Sequence, residues 1–225
     1  MDMKDYMERS KEAWKVAATF PADKCAVYPE HSLVQEFSQH RDSVVLEYGS
    51  GPGADAYEYL KNCNVVFLCD IVASNLDQAK INLTARGIKD NAIYVPLQES
   101  YPLPFGDTTF DVVNSHGVLH HIPDAVEVVK EFYRVLRPGG LCYIMLYTEF
   151  LHKVASGLIS QLVQEGLSPE EAFGWFTDGK GTPYSVHYTE ETGEQLLTQA
   201  GFVVEYHTLY NNDQFRTFKA TKPIT

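Results

Sequence analysis

The stretch Val44-Val45-Leu46-Glu47-Tyr48-Gly49-Ser50-Gly51-Pro52-Gly53-Ala54 decides the fold. Ser43 to Tyr48 is a short apolar run of β-forming residues and reads as a buried strand, and the alternate glycines that follow read as a tight turn leading into a helix. Glycine suits such a turn because it takes up positive φ and lets the backbone approach a ligand closely. A strand, glycine turn and helix in this order place a binding loop at the carboxyl edge of an α/β sheet.

Outward from this stretch, short apolar runs alternate with amphipathic ones. Val65 to Asp70, Ala92 to Val95, Phe110 to Ser115 and Leu141 to Tyr147 read as further strands, several apolar on both faces as buried parallel strands require. Ser74 to Arg86 reads as a helix stopped by Gly87, and Asp124 to Leu136 as one stopped by Pro138-Gly139-Gly140. After the fifth strand come a helix near His152 to Glu165, a capping box at Ser168-Pro169-Glu170-Glu171 and a glycine-bearing loop from Thr177 to His187. A helix from Thr189 to Ala200 follows. Phe202 to His207 and Gln214 to Thr221 then flank Asn211-Asn212-Asp213, which predicts an antiparallel hairpin closing the sheet. The first 40 residues read as two helices, one carrying Tyr6, Met7, Trp14 and Ala18, the other Leu33, Val34 and Phe37.

The chain has 225 residues, 44% of them apolar, which is the size of a single domain with a substantial core. Thirty acidic residues against 18 basic ones give a formal charge of -12. That balance opposes phosphate neutralisation and argues against a nucleic-acid partner. No apolar run approaches the length of a membrane span, and Met1-Asp2-Met3-Lys4-Asp5 lacks the order of a secretion signal, so a cytoplasmic location is expected. Cys25, Cys63, Cys69 and Cys142 contain no C-x-x-C pair and read as reduced thiols. No carboxylate or thiol cluster calls for a metal.

The glycine turn also satisfies the G-x-G-x-x-A form of a dinucleotide fingerprint, so other positions must discriminate. Glu47, two residues before Gly49, can face the ammonium of an amino-acid ligand but would oppose a pyrophosphate, which favours a zwitterionic sulfonium ligand over NAD. Asp70, ending the second strand, suits two ribose hydroxyls of either ligand.

Five pieces occur in order: Glu47 to Gly53, Asp70, Leu103-Pro104-Phe105 with Phe110-Asp111, Leu119-His120-His121-Ile122-Pro123-Asp124, and Leu136-Arg137-Pro138-Gly139-Gly140. Together they resemble the class I S-adenosylmethionine-dependent methyltransferases, in particular the small-molecule branch with the menaquinone and ubiquinone enzymes. The resemblance runs from about Val44 to the C-terminus. It implies a Rossmann-like doubly wound sheet of seven strands, mostly parallel, with the C-terminal antiparallel hairpin and the insertion after the fifth strand. It also implies S-adenosylmethionine as the methyl donor and S-adenosylhomocysteine as the product.

By the same resemblance, Glu47 is expected near the methionyl ammonium, Gly49 and Gly51 with Ser50 and Gly53 along the methionine chain, Asp70 on the ribose and Ile71 against the adenine face. Glu99 and Ser100 are expected at the adenine edge, with Gln98 leaving that contact ambiguous by one residue, and Ser115 beside the ligand at the end of the fourth strand. Tyr48 is bulkier than the aliphatic residue usual there.

His116 follows the fourth strand directly and is a candidate base or a packing residue. His120 and His121 are further candidates, each against the reading that it fixes a turn, and Tyr188 is another. The expected activity is methyl transfer to a small molecule through an oxygen, nitrogen or carbon nucleophile; the alternative is a ligand-binding module without turnover. Residues 1-225 form one domain in this reading, with 1-40 as a helical cover and 148-188 as a substrate-covering insertion. Phe150, Phe173, Trp175, Phe176, Tyr184 and Tyr188 are its aromatic lining, or else simply the packing of its helices.

Overall fold

Strand β1 (Val44–Tyr48) is buried along nearly its whole length and hydrogen-bonds in parallel to β2 (Val65–Asp70) on one side and β4 (Phe110–His116) on the other. The structure, a computed structural model, describes residues 2–15, 36, 39–62, 64–179 and 181–224. With β3 (Ala92–Pro96), β5 (Leu136–Tyr147), β6 (Val203–Tyr210) and β7 (Phe215–Thr221), the seven strands lie in the order β3-β2-β1-β4-β5-β7-β6. The first five run parallel, while β7 is antiparallel to both β5 and β6. The order reverses between β1 and β4, so the loops leaving those strands diverge and open a crevice at the carboxyl edge.

The period of two along the strands divides the core. Leu46 and Tyr48 face one layer with Phe132, Val129 and Leu197, from helices α4 (Ala125–Val135) and α7 (Glu190–Thr198). Val45, Val66 and Leu68 face the other with Tyr59, Leu76 and Leu83, from α2 (Ala54–Leu60) and α3 (Ala73–Ala85). Glu47 and Asn114, partners in register across β1 and β4, share the second face, and this sets them beneath the start of α2.

The insertion between β5 and α7 is α5 (Glu149–Gln164) and α6 (Pro169–Asp178), which enclose a small core of Ala155, Ile159, Leu162, Ala172 and Phe173 against Tyr147. The capping box forms: the Glu171 amide donates to Ser168 Oγ at 3.1 Å and the Ser168 amide to Glu171 Oε2 at 3.1 Å. Asn211, Asn212 and Asp213 all take positive φ at the hairpin tip, a conformation that short polar side chains tolerate.

Several boundaries differ from the sequence reading, and β4 runs one residue further than expected, so His116 ends the strand rather than follows it. Helix α5 starts at Glu149, directly after the extended Thr148. Strand β6 continues to Tyr210. Strand β5 begins at Leu136, because Leu136 pairs with Phe110 before a register shift carries the ladder past Pro138-Gly139-Gly140. At Gly140 a Cβ would stand 2.8 Å from the Arg137 carbonyl, so the shift needs glycine.

Of the two helices expected at the start of the chain, α1 (Met3–Trp14) buries Tyr6, Met7 and Ser10; Ala18 and the second helix with Leu33, Val34 and Phe37 lie outside the described residues, as do Cys25 and Cys63. Cys69 and Cys142 are buried free thiols, and burial pushes both well above the ordinary thiol range. Among the described residues no helix is long and apolar enough to cross a membrane.

Candidate active site

The crevice holds a cavity of about 260 Å³. One end is walled by Glu47, Gly49, Ser50 and Gly51 from the turn after β1, Asp70 and Ile71 after β2, and Ser100; the other by His116, Val118, His121, Tyr147, Asp178 and Phe215, with Tyr6 and Trp14 of α1. Four carboxylates line it, Glu47, Asp55, Asp70 and Asp178, and no lysine or arginine does so among the described residues.

The three glycines serve different purposes. Gly49, at φ +72, would carry a Cβ 2.3 Å from Val118 Cγ2, so it lets the loops after β1 and β4 touch. At Gly51, φ +49, a Cβ would meet nothing among the described residues within 4 Å, which leaves an open cradle beside the cavity. Gly53, φ +84, sits at the start of α2 with Ala79 of α3 at 3.2 Å from a notional Cβ, and is outside the cavity lining.

Asp70 shapes this turn. Its Oδ2 accepts from the Gly51 amide at 2.9 Å and its Oδ1 from the Val72 amide at 2.8 Å and Asn75 Nδ2 at 3.4 Å. Burial raises its carboxyl above the ordinary range, and those donors oppose the rise. Glu47 accepts from Asn114 Nδ2 at 2.8 Å; the same amide lies 3.3 Å from Asp55 Oδ2, which in turn is 2.8 Å from His116 Nδ1. His116 is therefore tied through Asp55 to the Glu47 end.

The remaining expected residues divide. Ser100 is buried against the cavity and its carbonyl accepts from the Tyr48 hydroxyl at 3.0 Å, a bond that also explains the bulk of Tyr48. Glu99 is exposed and outside the lining, as is fully buried Ser115. His120 is outside it too: its Nδ1 accepts from the Tyr147 amide at 3.2 Å, its ring stacks on Tyr147 at 3.7 Å, and its carbonyl accepts from the Val186 amide at 2.9 Å. These bonds fix the turn after β4. Tyr188 also lies outside the lining, packs against the main core and donates its amide to the Tyr147 carbonyl at 2.8 Å.

The insertion contributes Asp178 to the cavity. Phe173 fills the insertion's own core with Trp175 and Phe176 packed against it, and Phe150 is exposed, so the aromatic content there goes mostly into packing. Asp178, Tyr147 and His121 meet at the far end; His121 was a candidate from the sequence beside His120, whereas Tyr147 and the meeting with Asp178 were not expected. Their signal is tertiary, since Asp178 and His121 are far apart along the chain.

Burial and the adjacent His121 hold the His120 imidazole well below its ordinary value, and burial likewise lowers His121. Unfolded imidazoles titrate at about 6.5. Below that pH the unfolded chain takes up protons that the folded chain refuses, so stability is present above about pH 6.5 and lost as pH falls. Urea midpoints should decline from about pH 7 to pH 5. In His120→Asn, which keeps an acceptor near the Nδ1 position, the decline should be shallower; an unchanged slope would remove His120 from the account.

A methyltransferase-domain family model matches residues 46–144. The chain is 31% identical over 196 residues to a ubiquinone/menaquinone biosynthesis C-methyltransferase of Cellvibrio japonicus, covering 80% of this chain and 77% of that protein. It is 28% identical over 176 residues to the tRNA 5-carboxymethoxyuridine methyltransferase of Escherichia coli K12, covering 76% of this chain and 67% of that one. Among solved structures, the fold is similar to a 1,6-didemethyltoxoflavin-N1-methyltransferase of Burkholderia thailandensis with bound S-adenosylhomocysteine, at a TM-score of 0.69, 18% identity and coverage of 99% and 91%. A methyltransferase of Methanosarcina mazei gives 0.68 at 20% identity, with 87% and 99% covered. The strand order, the glycine turn at the switch point and these relatives agree: the chain belongs to the class I S-adenosylmethionine-dependent methyltransferases.

Proposed function

We propose that the protein methylates a small neutral or cationic acceptor. The observation that carries this reading is the end of the cavity away from Glu47 and Asp70: Asp178, the aromatic rings of Trp14, Tyr147 and Phe215, and no lysine or arginine among the described residues. Such an end offers an anionic acceptor no cationic partner and accommodates an apolar or positively charged ring. The chain's charge of -12 adds to the case against a tRNA acceptor, although one relative is named for tRNA.

The residues present fit S-adenosylmethionine, on the open cradle at Gly51 and the buried carboxylate of Asp70 beside it. Glu47 would face the ammonium, Gly49, Ser50 and Gly51 the methionine chain, Asp70 the ribose hydroxyls, Ile71 the adenine face and Ser100 the adenine edge. When bound, it supplies an electrophilic methyl group with a neutral thioether as leaving group. The protein's share is to hold the acceptor in line and exclude water, which contributes on the order of 7 to 11 kcal/mol in well-oriented reactions. Residues 148-188 and α1 act as the cover that does so, through Asp178, Tyr6 and Trp14.

Labelled S-adenosylmethionine incubated with separate small-molecule and tRNA fractions of a cell extract tests the acceptor class. Label is expected in the small-molecule fraction; label confined to tRNA would overturn the reading. Glu47→Gln tests the donor site. The amide keeps the size of the carboxylate but loses its charge, and a hydrogen bond to a charged group contributes about 1.5 to 3 kcal/mol, so calorimetry should find affinity for S-adenosylhomocysteine reduced roughly 10- to 100-fold with the fold intact. Undiminished affinity would mean that the carboxylate serves contacts within the protein, such as that with Asn114, and not the ligand.

A further inference from the structure

We infer that His121 is the proton acceptor of the methyl transfer and Asp178 the residue that positions and stabilises it, so that the acceptor carries a removable proton on oxygen or nitrogen. This deepens the reading above and rests on it.

The inference starts from which nitrogen of His121 holds the hydrogen. The short turn Leu119–His121 after β4 sets the ring in the cavity wall, with Trp14 at 4.5 Å on one side and Tyr147 edge-on at 5.6 Å. Its Nδ1 is 3.2 Å from the carbonyl oxygen of Tyr184. A carbonyl only accepts, so Nδ1 bears the hydrogen and Nε2 the lone pair. That Nε2 is buried and makes no hydrogen bond; the nearest acid is Asp178 Oδ2 at 3.7 Å, beyond hydrogen-bond reach but close enough to stabilise a positive ring. Asp178 is itself held: the Tyr147 hydroxyl donates to Oδ1 at 2.8 Å and the Thr177 hydroxyl to Oδ2 at 2.5 Å.

An imidazole of the cavity wall with one nitrogen backed by a carbonyl, the other buried without a hydrogen bond, and a fixed carboxylate beside it is placed to take up a proton. The neighbouring histidines lack this combination. His120 uses its Nδ1 lone pair on the Tyr147 amide, and His116 is engaged with Asp55. In the step, the acceptor's X–H proton passes to Nε2 while the lone pair on X forms the bond to the methyl carbon. The carbon–sulfur pair leaves on sulfur as S-adenosylhomocysteine, and the imidazolium later returns its proton to solvent.

The groups packed around the ring are Tyr6 and Trp14 of α1, Tyr147 of β5, Asp178 of α6, Tyr184 of the following loop and His120 of its own turn. Of these, only Asp178 opposes the lowering of the imidazole that burial causes, together with the Tyr184 carbonyl. Turnover should therefore rise with pH along a single limb and level off by about pH 6.5.

Nitrogen-15 NMR of the whole protein with S-adenosylhomocysteine tests the assignment. Neutral His121 should be protonated at Nδ1, and its titration should move to lower pH in Asp178→Asn, where the carboxylate that favours the imidazolium is gone. An Nε2–H tautomer, or a titration indifferent to Asp178, overturns the inference. Turnover of a small-molecule extract should fall about 10²- to 10⁴-fold in His121→Asn, whose amide can still donate to the Tyr184 carbonyl, with affinity for S-adenosylhomocysteine preserved. Binding with turnover within about threefold of the parent would refute the base and leave the methyltransferase reading standing; a parent that fails to bind S-adenosylhomocysteine would sink that reading instead.

Discussion

Gly51→Val is expected to raise the dissociation constant for S-adenosylhomocysteine by at least about a hundredfold, a loss on the order of 2.7 kcal/mol, in a protein that still folds. At Gly51 a Cβ meets no atom of the described residues within 4 Å, so the added methyl groups occupy the cradle rather than the core. They also stand beside the amide that bonds Asp70. The folding cost comes from placing a β-branched residue at φ +49, roughly 1 to 2 kcal/mol against a total stability of about 5 to 15. Gly87→Val separates the two effects. Gly87 has φ +84, equally open space and no place in the cavity wall, so this variant should show the strain without the loss of affinity. Calorimetry finding Gly51→Val and Gly87→Val to bind alike would remove the cradle from the site.

Phe110→Ala is expected to cost about 3 to 5 kcal/mol of stability, the range for truncating a buried aromatic. Phe110 is fully buried and forms a triangle with Phe67 and Phe105, ring centroids 5.0 to 5.6 Å apart and planes nearly perpendicular. Edge-to-face contacts of this kind add to the area term. For a chain of this size the melting temperature should fall by roughly 10 °C, with little change in affinity for S-adenosylhomocysteine well below the transition. A loss of affinity in step with stability would show that the triangle shapes the cavity as well. Asp111 next to it accepts from the Val44 amide at 2.8 Å and pairs with Arg137 at 2.6 Å, so Leu103-Pro104-Phe105 with Phe110-Asp111 reads as the joint between β1, β4 and β5 rather than as chemistry.

The half of the site nearest β1 and β2 was legible because its residues are close in sequence and obey local rules. Glu47, Gly49, Gly51 and Asp70 lie on one turn and the next strand end, and the strand period alone puts them at one edge. The Ser168 capping box and the Asn211-Asn212-Asp213 hairpin were legible for the same reason. Of the other half, His116, His121, the helix with Tyr6 and Trp14 and the insertion were expected near this edge, but how they meet was not. Periodicity tells which face a residue takes, not which loops meet above the sheet; Asp178 comes to His121 where the insertion and the loop after it bond to β5 and to the turn after β4, through the Tyr147 hydroxyl to Asp178, the Val186 amide to the His120 carbonyl and His121 Nδ1 to the Tyr184 carbonyl. The glycine pattern likewise gave Gly53 the same standing as Gly51, although its close neighbour is Ala79 of a packed helix. That difference depends on the distance between helices, which no local pattern encodes.

The hydrogen bonds from the Gly51 and Val72 amides to Asp70 have an entropic consequence. They hold the turn after β1 in shape from the moment the chain folds, so the conformational entropy of that loop is lost once, during folding, and not again with each turnover. A preorganised loop of this kind admits its ligand without a slow rearrangement of the turn itself.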